Sequence, residues 1–362
     1  MDSIGRLVFQ PQPSGWPIVG QERAVGLLRA ALRTGNVSHA YLFTGPTGVG
    51  KRTLSMTFAM TVNCQAEPPA NQEYPDQPCG ICPSCSRVLR GAHPDLTELN
   101  LQTQAQALGE SGGKGKGGPA RELRIDAIRE MQSSVGLSPY VGRWKVYVIG
   151  DAERMNEEAS NCLLKTLEEP PAHTILILLA PDEVSVLPTI SSRCFLVPLR
   201  EMPRAQVAEA LQRYWDEERE QAELGAALSG GRLGYAVSLL SDREGLDRRR
   251  RALQELSVLS SAHVNDRVNS AAQYAKMFTD ARPEVYEFLQ HWEGWWRDVI
   301  AVQSAPELVA NVDQLQALQA SARKHTPSSA LGAISLVQAT RKQLMENVNP
   351  RLALEALVLG MP

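Results

Sequence analysis

The sequence predicts an α/β domain built on a parallel sheet, followed by an all-α region. Through about the first 200 residues, short apolar runs alternate with helical patterns, which is typical of parallel strands joined by crossover helices. A glycine-rich loop, Gly45–Thr53, joins one of these runs to a helix. After Pro203 no run has the character of a strand. We therefore expect domain boundaries near residues 200 and 250.

Five strands are expected in the first part of the chain. The first, Ala40–Gly45, runs into the glycine-rich loop, and a helix follows from Thr53 to Cys64. The other four are expected at 95–99, 145–151, 174–180 and 194–199. The third and fourth strands are almost continuously apolar, as strands buried on both faces of a sheet should be.

The remaining segments are expected to be helical or irregular. Residues 201–250 predict short helices with a break at Gly230–Gly231, and 251–362 predicts longer amphipathic helices. Arg248–Arg251 are expected on a solvated helix face. The segment 109–120 is too rich in glycine to pack and predicts a flexible surface insertion.

Composition sets limits on location and partners. The 362 residues carry a formal net charge of -3, so the chain as a whole has no electrostatic bias towards nucleic acid. No apolar run reaches the roughly 18 residues that a membrane-spanning helix needs, and the first residues lack the pattern of a secretory signal. We expect a cytoplasmic protein without membrane contact.

The glycine-rich loop has the pattern of a phosphate-binding P-loop, and its strand–loop–helix context supports that interpretation. Its glycines allow backbone N–H groups to point inward, and its lysine can reach the outer phosphates. The hydroxyl residue that normally binds magnesium is replaced by Arg52, which disfavours Mg²⁺. The motif therefore leaves open whether the loop binds ATP or ADP. The predicted nucleotide-binding residues are Gly45, Gly48, Val49, Gly50, Lys51, Arg52 and Thr53.

Four of the six cysteines cluster in the sequence, at Cys64, Cys79, Cys82 and Cys85. In a chain without secretory features this spacing favours a metal over disulfides. Four thiolates would close a tetrahedral Zn²⁺ site with no open position, so its role would be structural. A redox dithiol is the competing interpretation.

Several longer motifs resemble one family. The segments Asn156–Pro171 and Pro188–Cys194 closely resemble motifs of bacterial clamp-loader ATPases, and the cysteine insertion lies where that AAA+ family carries a zinc module. Segments 17–32 and 349–359 extend the resemblance over nearly the whole chain. It implies an AAA+ domain at 1–200 with its zinc module at 64–85, a helical lid at 201–250 and a helical collar at 251–362.

Departures from the family pattern distinguish two kinds of subunit. Positions where the ATP-hydrolysing motors carry acidic and sensor groups fall on Gly150 and Asp151, on Ala180, and on Gly234. The resemblance therefore implies a stator subunit without its own ATPase activity. Arg193 resembles the arginine finger that such a subunit extends into a neighbour's nucleotide site.

The resemblance also implies partners. These would be the gamma or tau and delta subunits of the DNA polymerase III clamp loader and, through the assembled complex, the beta sliding clamp and primer-template DNA. Two alternatives stay open. The chain could be a gamma/tau-type motor that uses Thr53 and Asp151 in unusual roles, or a zinc-dependent DNA-binding module.

Overall fold

The structure, a computed structural model, describes residues 15–107, 122–346 and 348–362. The chain divides into two compact units. The first holds the described residues up to Glu217 together with Gly231–Tyr235, and the second holds Glu218–Gly230 and Ala236–Pro362. The predicted insertion at 109–120 lies outside the described residues. The three-part division with boundaries near 200 and 250 stays a prediction.

One five-stranded parallel sheet forms the centre of the first unit, in the order β2-β3-β4-β1-β5. The predicted strands are confirmed with small changes at their ends. Their bounds are β1 Ala40–Thr44, β2 Leu96–Leu99, β3 Lys145–Ile149, β4 Thr174–Ala180 and β5 Phe195–Pro198. Every residue of β4 is buried, as its continuous apolar sequence predicts. Thr44, which precedes the glycine-rich loop, pairs with Ala180.

Helices cover both faces of this sheet. On one face Leu28, Phe43 and Phe58 belong to one buried cluster, and on the other Ile128 and Leu163 belong to a second. A 3-10 turn follows β3 at Ala152–Arg154. The helices are α1 Glu22–Thr34, α2 Lys51–Val62, α3 Pro83–Leu89, α4 Leu101–Ala107, α5 Ile125–Val135, α6 Glu157–Glu168, α7 Pro188–Ser191 and α8 Arg204–Trp215.

The second unit is helical throughout its described residues. Its core gathers around Trp292 and Trp296, which are both almost fully buried. The helices are α9 Arg219–Ser229, α10 Leu233–Ser241, which begins in the first unit, α11 Arg243–Ser261, α12 Val264–Asp280, α13 Arg282–Ser304, α14 Leu315–Lys324, α15 Pro327–Met345 and α16 Pro350–Gly360. Gly230 ends α9 in the left-handed conformation, which confirms the predicted break. Within the described chain, no helix has both the length and the apolar content to cross a bilayer.

Arg249 departs from the predicted solvated face. Its side chain is only 5% exposed and donates to both carboxylate oxygens of Asp313, at 2.9 and 2.7 Å. It also donates to Asn311 Oδ1 at 2.6 Å. The prediction is wrong at this position because the partners lie more than 60 residues further along the chain, where a local pattern gives no sign of them. Arg250 is exposed, as expected.

Candidate phosphate-binding loop and metal centre

The loop after β1 has the backbone of a phosphate-binding loop. Gly45, Gly48 and Gly50 all have positive φ, at 142°, 85° and 108°. The N–H of Gly45 lies 3.0 Å from the carbonyl oxygen of Pro181, just beyond β4. A Cβ at Gly45 would lie 2.5 Å from the carbonyl oxygen of Leu199. Glycine is therefore required here both for the conformation and for the space.

Lys51 begins α2, but its ammonium group is turned onto the loop itself. It donates to the carbonyl oxygens of Gly45 and Pro46, the second at 3.2 Å. Burial lowers the pKa of Lys51, and the charges of Glu153 and Asp151 oppose that shift. The chain's own carbonyls thus take the hydrogen bonds that the lysine of a nucleotide-binding loop gives to phosphate.

Arg52 is paired away from the loop. Its guanidinium group forms a two-pronged ion pair with Glu98 on β2, Nε to Oε1 at 2.5 Å and Nη2 to Oε2 at 2.6 Å. The hydrogen bond that Arg52 donates to Glu98 raises the pKa of Arg52. The residue at the magnesium position is therefore a structural tie between α2 and the sheet edge. Val49 is buried in the adjoining core, and Thr53 is half-buried.

The acidic position after β3 is also used locally. Asp151 is left-handed, with φ 52°, and its Oδ2 accepts the N–H of Leu101 at 3.2 Å. The N–H of Gly150 donates to the carbonyl oxygen of Leu99 at 2.8 Å. Ala180, at the end of β4, is buried and has no polar side-chain atom. These contacts hold the ends of the strands together, and of the two carboxylates whose charges act on Lys51, that of Asp151 is engaged with the backbone.

The start of α10 lies directly on the loop, within the first unit. Gly234 donates its N–H to the carbonyl oxygen of Gly48 at 2.8 Å. A Cβ at Gly48 would lie 2.7 Å from the Cβ of Tyr235, so the two chain segments touch. Arg232 stacks over the ring of Tyr235 at 4.5 Å from its centroid. Sequence reasoning missed Tyr235, since nothing in the local pattern links it to a glycine 187 positions earlier.

Arg193 lies in the turn between α7 and β5. Its Nη2 is 2.8 Å from Glu168 Oε1, and its Nη1 donates to the carbonyl oxygen of Thr189 at 2.9 Å. The side chain is 38% exposed. Because an exposed ion pair contributes little to stability, this guanidinium can exchange Glu168 for another anion at small cost.

The four clustered cysteines converge on one point. The Sγ atoms of Cys64, Cys79, Cys82 and Cys85 all lie within 4.8 Å of one another. Tetrahedral Zn²⁺ with thiolate bonds of about 2.3 Å needs sulfur atoms about 3.8 Å apart, which a small contraction of this cluster supplies. The residues present therefore fit a structural Zn²⁺ ion.

Backbone N–H groups support the sulfur atoms. Cys79 Sγ accepts the N–H of Cys82 at 3.3 Å, and Cys82 Sγ accepts the N–H of Cys85 at 3.4 Å. Cys64 Sγ accepts from Ala66 and from Cys79. A hydrogen bond from Cys85 lowers the pKa of Cys64 to about 5. Burial raises the pKa of Cys79, and the contact with Cys64 raises that of Cys85, so one thiolate at Cys64 is favoured in the absence of a metal charge.

The five-stranded parallel sheet and the glycine-rich loop between β1 and α2 define a P-loop protein with an AAA+ fold. The chain belongs to the DNA polymerase III delta-subunit family. The model described as "DNA polymerase III, delta subunit" matches residues 20–203, and its C-terminal counterpart matches 244–361. The clamp-loader family predicted from the motifs is thereby confirmed.

Individual relatives carry different subunit names. DNA polymerase III subunit tau of Bacillus subtilis is 27% identical over 97% of this chain. Subunit delta' of Pseudomonas aeruginosa is 35% identical over 54% of this chain and 53% of that protein. The chain spans 62% and 59% of the length of the curated tau and gamma/tau relatives from B. subtilis and Mycobacterium bovis. A gamma subunit-related structure from Thermotoga maritima covers 93% of this chain and 97% of its own, with 16% identity and a TM-score of 0.46.

Proposed function

We propose that this chain is a stator subunit of the delta prime type in the bacterial DNA polymerase III clamp loader. It helps to load the beta sliding clamp onto primed DNA during replication, has no ATPase activity of its own and works in the cytoplasm. Its direct partners are a gamma or tau subunit and the delta subunit. It meets the clamp and the primer-template DNA through the assembled complex.

The observation that carries this proposal is the contact of Gly234 with Gly48. Gly234 occupies the position of the motor's sensor arginine. Here the N–H of Gly234 donates to the carbonyl oxygen of Gly48 in the loop. The magnesium position supports the same conclusion, because Arg52 is committed to Glu98. A hydrolysing P-loop enzyme needs a metal ligand and charged groups on the phosphates, and these positions supply neither.

A gamma/tau-type motor is the second candidate. It is favoured by the tau and gamma/tau relatives, which match 97% and 94% of this chain. An ATPase assay on the isolated chain separates the two functions. The stator predicts no turnover above a buffer control, and ATP hydrolysis that disappears in Lys51→Ala would establish the motor instead. In parallel, native mass measurement after mixing with gamma and delta subunits should detect the assembled complex.

We further propose that Arg193 acts as an arginine finger in the neighbouring motor. In a reconstituted clamp loader, Arg193→Ala should lower the neighbour's ATP turnover by about 10³- to 10⁵-fold, because a fixed guanidinium stabilises the developing phosphate charge. Assembly, followed by native mass, should be unchanged.

The matched control for the finger is Glu168→Gln. It removes the ion pair seen at 2.8 Å but keeps the guanidinium, so turnover should stay near that of the unaltered complex. Equal losses in both variants would assign the effect to the ion pair, and full turnover in Arg193→Ala would remove Arg193 from the mechanism.

The cysteine cluster belongs to this proposal as a structural Zn²⁺ site. Closed four-ligand sites have no position for substrate or water, so the metal's contribution is to fold the short insertion around it. Elemental analysis of the purified chain should find one zinc per chain, a ratio that Cys82→Ser should reduce.

A further inference from the structure

The segment 140–144, called here the Tyr140 segment, has an unusual set of anchors. All five of its backbone N–H groups are accepted by two buried side chains, Asp95 and Asn63. Asp95 takes three of them, at 2.6, 2.8 and 2.8 Å, and Asn63 takes the next two, at 2.8 and 2.9 Å. The backbone conformation of the segment is thus held by hydrogen bonds to two residues that lie more than 40 positions away in sequence.

The first anchor is continuous with the cysteine module, residues 64–85. Asn63 immediately precedes the cysteine Cys64, and its Nδ2 also donates to the carbonyl oxygen of Trp144 at 3.0 Å. A Cβ at Gly142 would lie 2.5 Å from Asn63 Oδ1. Because Gly142 and Asn63 are packed this closely, a displacement of Asn63 also displaces the Tyr140 segment.

The second anchor reaches the same module through a histidine. His93 Nδ1 accepts the N–H of Asp95 at 3.2 Å, so the proton of the neutral ring is on Nε2. His93 Nε2 lies 3.1 Å from Ser84 Oγ, and Ser84 stands beside Cys85. His93, Asp95 and Ser84 are all buried, which makes each of these contacts costly to lose.

A third connection comes from the middle of the module. Tyr74 OH accepts the indole N–H of Trp144 at 3.0 Å, and the carbonyl oxygen of Glu73 accepts from Arg143 at 2.8 Å. Tyr74 itself is 2% exposed. The module therefore contacts the Tyr140 segment directly at Arg143 and Trp144, in addition to the routes through Asn63 and Asp95.

The module has little apolar core with which to hold its own position. Of its own residues, Cys64 and Cys85 form a small buried cluster with Met60 and Val88 from the flanking helices, and Tyr74 packs into the cluster of the sheet. In so small a core, a metal bound to four thiolates supplies most of the folding free energy. We propose that metal binding by the four cysteines sets the conformation of the Tyr140 segment, and so fixes the outward presentation of Tyr140, whose side chain is 86% exposed.

Hydrogen exchange on the full chain, read by mass spectrometry, tests this coupling. Chelation of Zn²⁺ should speed exchange in the Tyr140 segment by about tenfold or more, with much smaller changes in β4, the middle strand of the sheet, which is buried along its whole length. Adding back Zn²⁺ should restore the slow rates. Unchanged exchange in 140–144 while 64–85 opens would overturn the proposal, as would an equal rise throughout the sheet or a chain that binds no zinc.

A pair of serine variants separates the coupling from simple loss of metal. Ser84→Ala removes the contact with His93 but keeps all four cysteines, so zinc content should stay the same while exchange rises at 140–142 more than at 143–144, which Asn63 holds. Ser86→Ala is the matched control, since Ser86 lies on the same helix and makes no side-chain hydrogen bond among the described residues. Identical exchange in the two variants would contradict the route through His93.

Discussion

The glycine-rich loop and the cysteine module are both sites predicted from sequence motifs, yet their polar groups are used in opposite ways. In the loop, Lys51 donates to the loop's own carbonyls, and Arg52 is paired with Glu98. In the module, the four sulfur atoms accept supporting N–H groups but still converge on a common centre. One set of groups is satisfied within the chain, and the other remains arranged for a ligand.

The difference lies in what the polar groups of each motif contact. Gly45 and Gly48 lie close to Leu199 and Tyr235, so packing as well as glycine content sets the backbone conformation of the loop. The module has few buried apolar contacts of its own, and we expect its fold to depend on a bound metal. Shape is therefore weak support for nucleotide binding in the loop, whereas the converging thiols of the module are strong support for a metal.

The largest effect is expected from breaking the module. Cys82→Ser removes one thiolate ligand, while the serine hydroxyl can still cap α3 at the N–H of Cys85, so the loss of metal should itself open the insertion. We expect cleavage within 64–85 by a nonspecific protease to accelerate by about 10³-fold or more, because structural metal free energy is folding free energy.

The control for this prediction is Cys162→Ser. Cys162 lies outside the module and makes a polar contact of 2.9 Å with Gln132 Oε1, which a serine hydroxyl can reproduce. Its cleavage pattern should match that of the unaltered chain. Equal protease resistance in the Cys82→Ser variant would show that the module folds without metal.

A smaller effect is expected from Asp95, the anchor next to the module. Burial raises the pKa of Asp95, but the three backbone N–H groups outweigh it and the pKa is lowered. A lowered pKa contributes stability above the unfolded value of about 3.9, and that contribution is lost as the pH falls through the folded value. Asp95→Asn should therefore cost about 2 kcal/mol at neutral pH and progressively less below about pH 4.

Urea unfolding of the unaltered chain and of the Asp95→Asn variant at several pH values measures this difference in the free energy of unfolding. Asp126→Asn is a suitable control, since the Asp126 side chain is 84% exposed and should show almost no change at any pH. A cost in Asp95→Asn that stays constant from neutral to acid would refute the linkage to ionisation.

The smallest effect is expected in the loop. Arg52→Thr restores the hydroxyl of an active P-loop but leaves Glu98 without its partner, so we expect a loss of about 1 kcal/mol in the free energy of unfolding. ATP hydrolysis should remain absent, since Ala180 and Gly234 still lack the required side chains. Adding Glu98→Gln to the Arg52→Thr variant should recover part of the free energy of unfolding. Measurable ATP turnover in Arg52→Thr would contradict the prediction, because it would show that the hydroxyl at position 52 is the one group missing for hydrolysis.

Local sequence patterns predicted the strands and the two motifs because each depends on neighbouring residues. β4 was predicted at its observed bounds, since an unbroken apolar run can only be buried. The four cysteines were found because metal ligands have limited spacings. The positive φ angles of Gly45, Gly48 and Gly50 agree with the placement of glycines in the motif.

Long-range polar contacts could not be predicted in this way. Asp95 and Asn63 each lie near the end of a predicted element, but no pattern assigns them the N–H groups of residues 140–144. Arg249 was placed on the surface because its neighbours are charged, while its burial depends on Asp313. Tyr235 covers Gly48 through packing between distant segments, which a single sequence does not encode locally.

The contact between Gly234 and Gly48 also limits which side chains position 234 can carry. A Cβ at position 234 would lie 2.9 Å from the carbonyl oxygen of Gly48. An arginine there would meet backbone at its first side-chain atom, so the two segments would have to separate to admit it. Any larger residue at 234 would thus require a change of packing around the loop as well as the substitution itself, and sterics favour glycine at this position independently of any catalytic role.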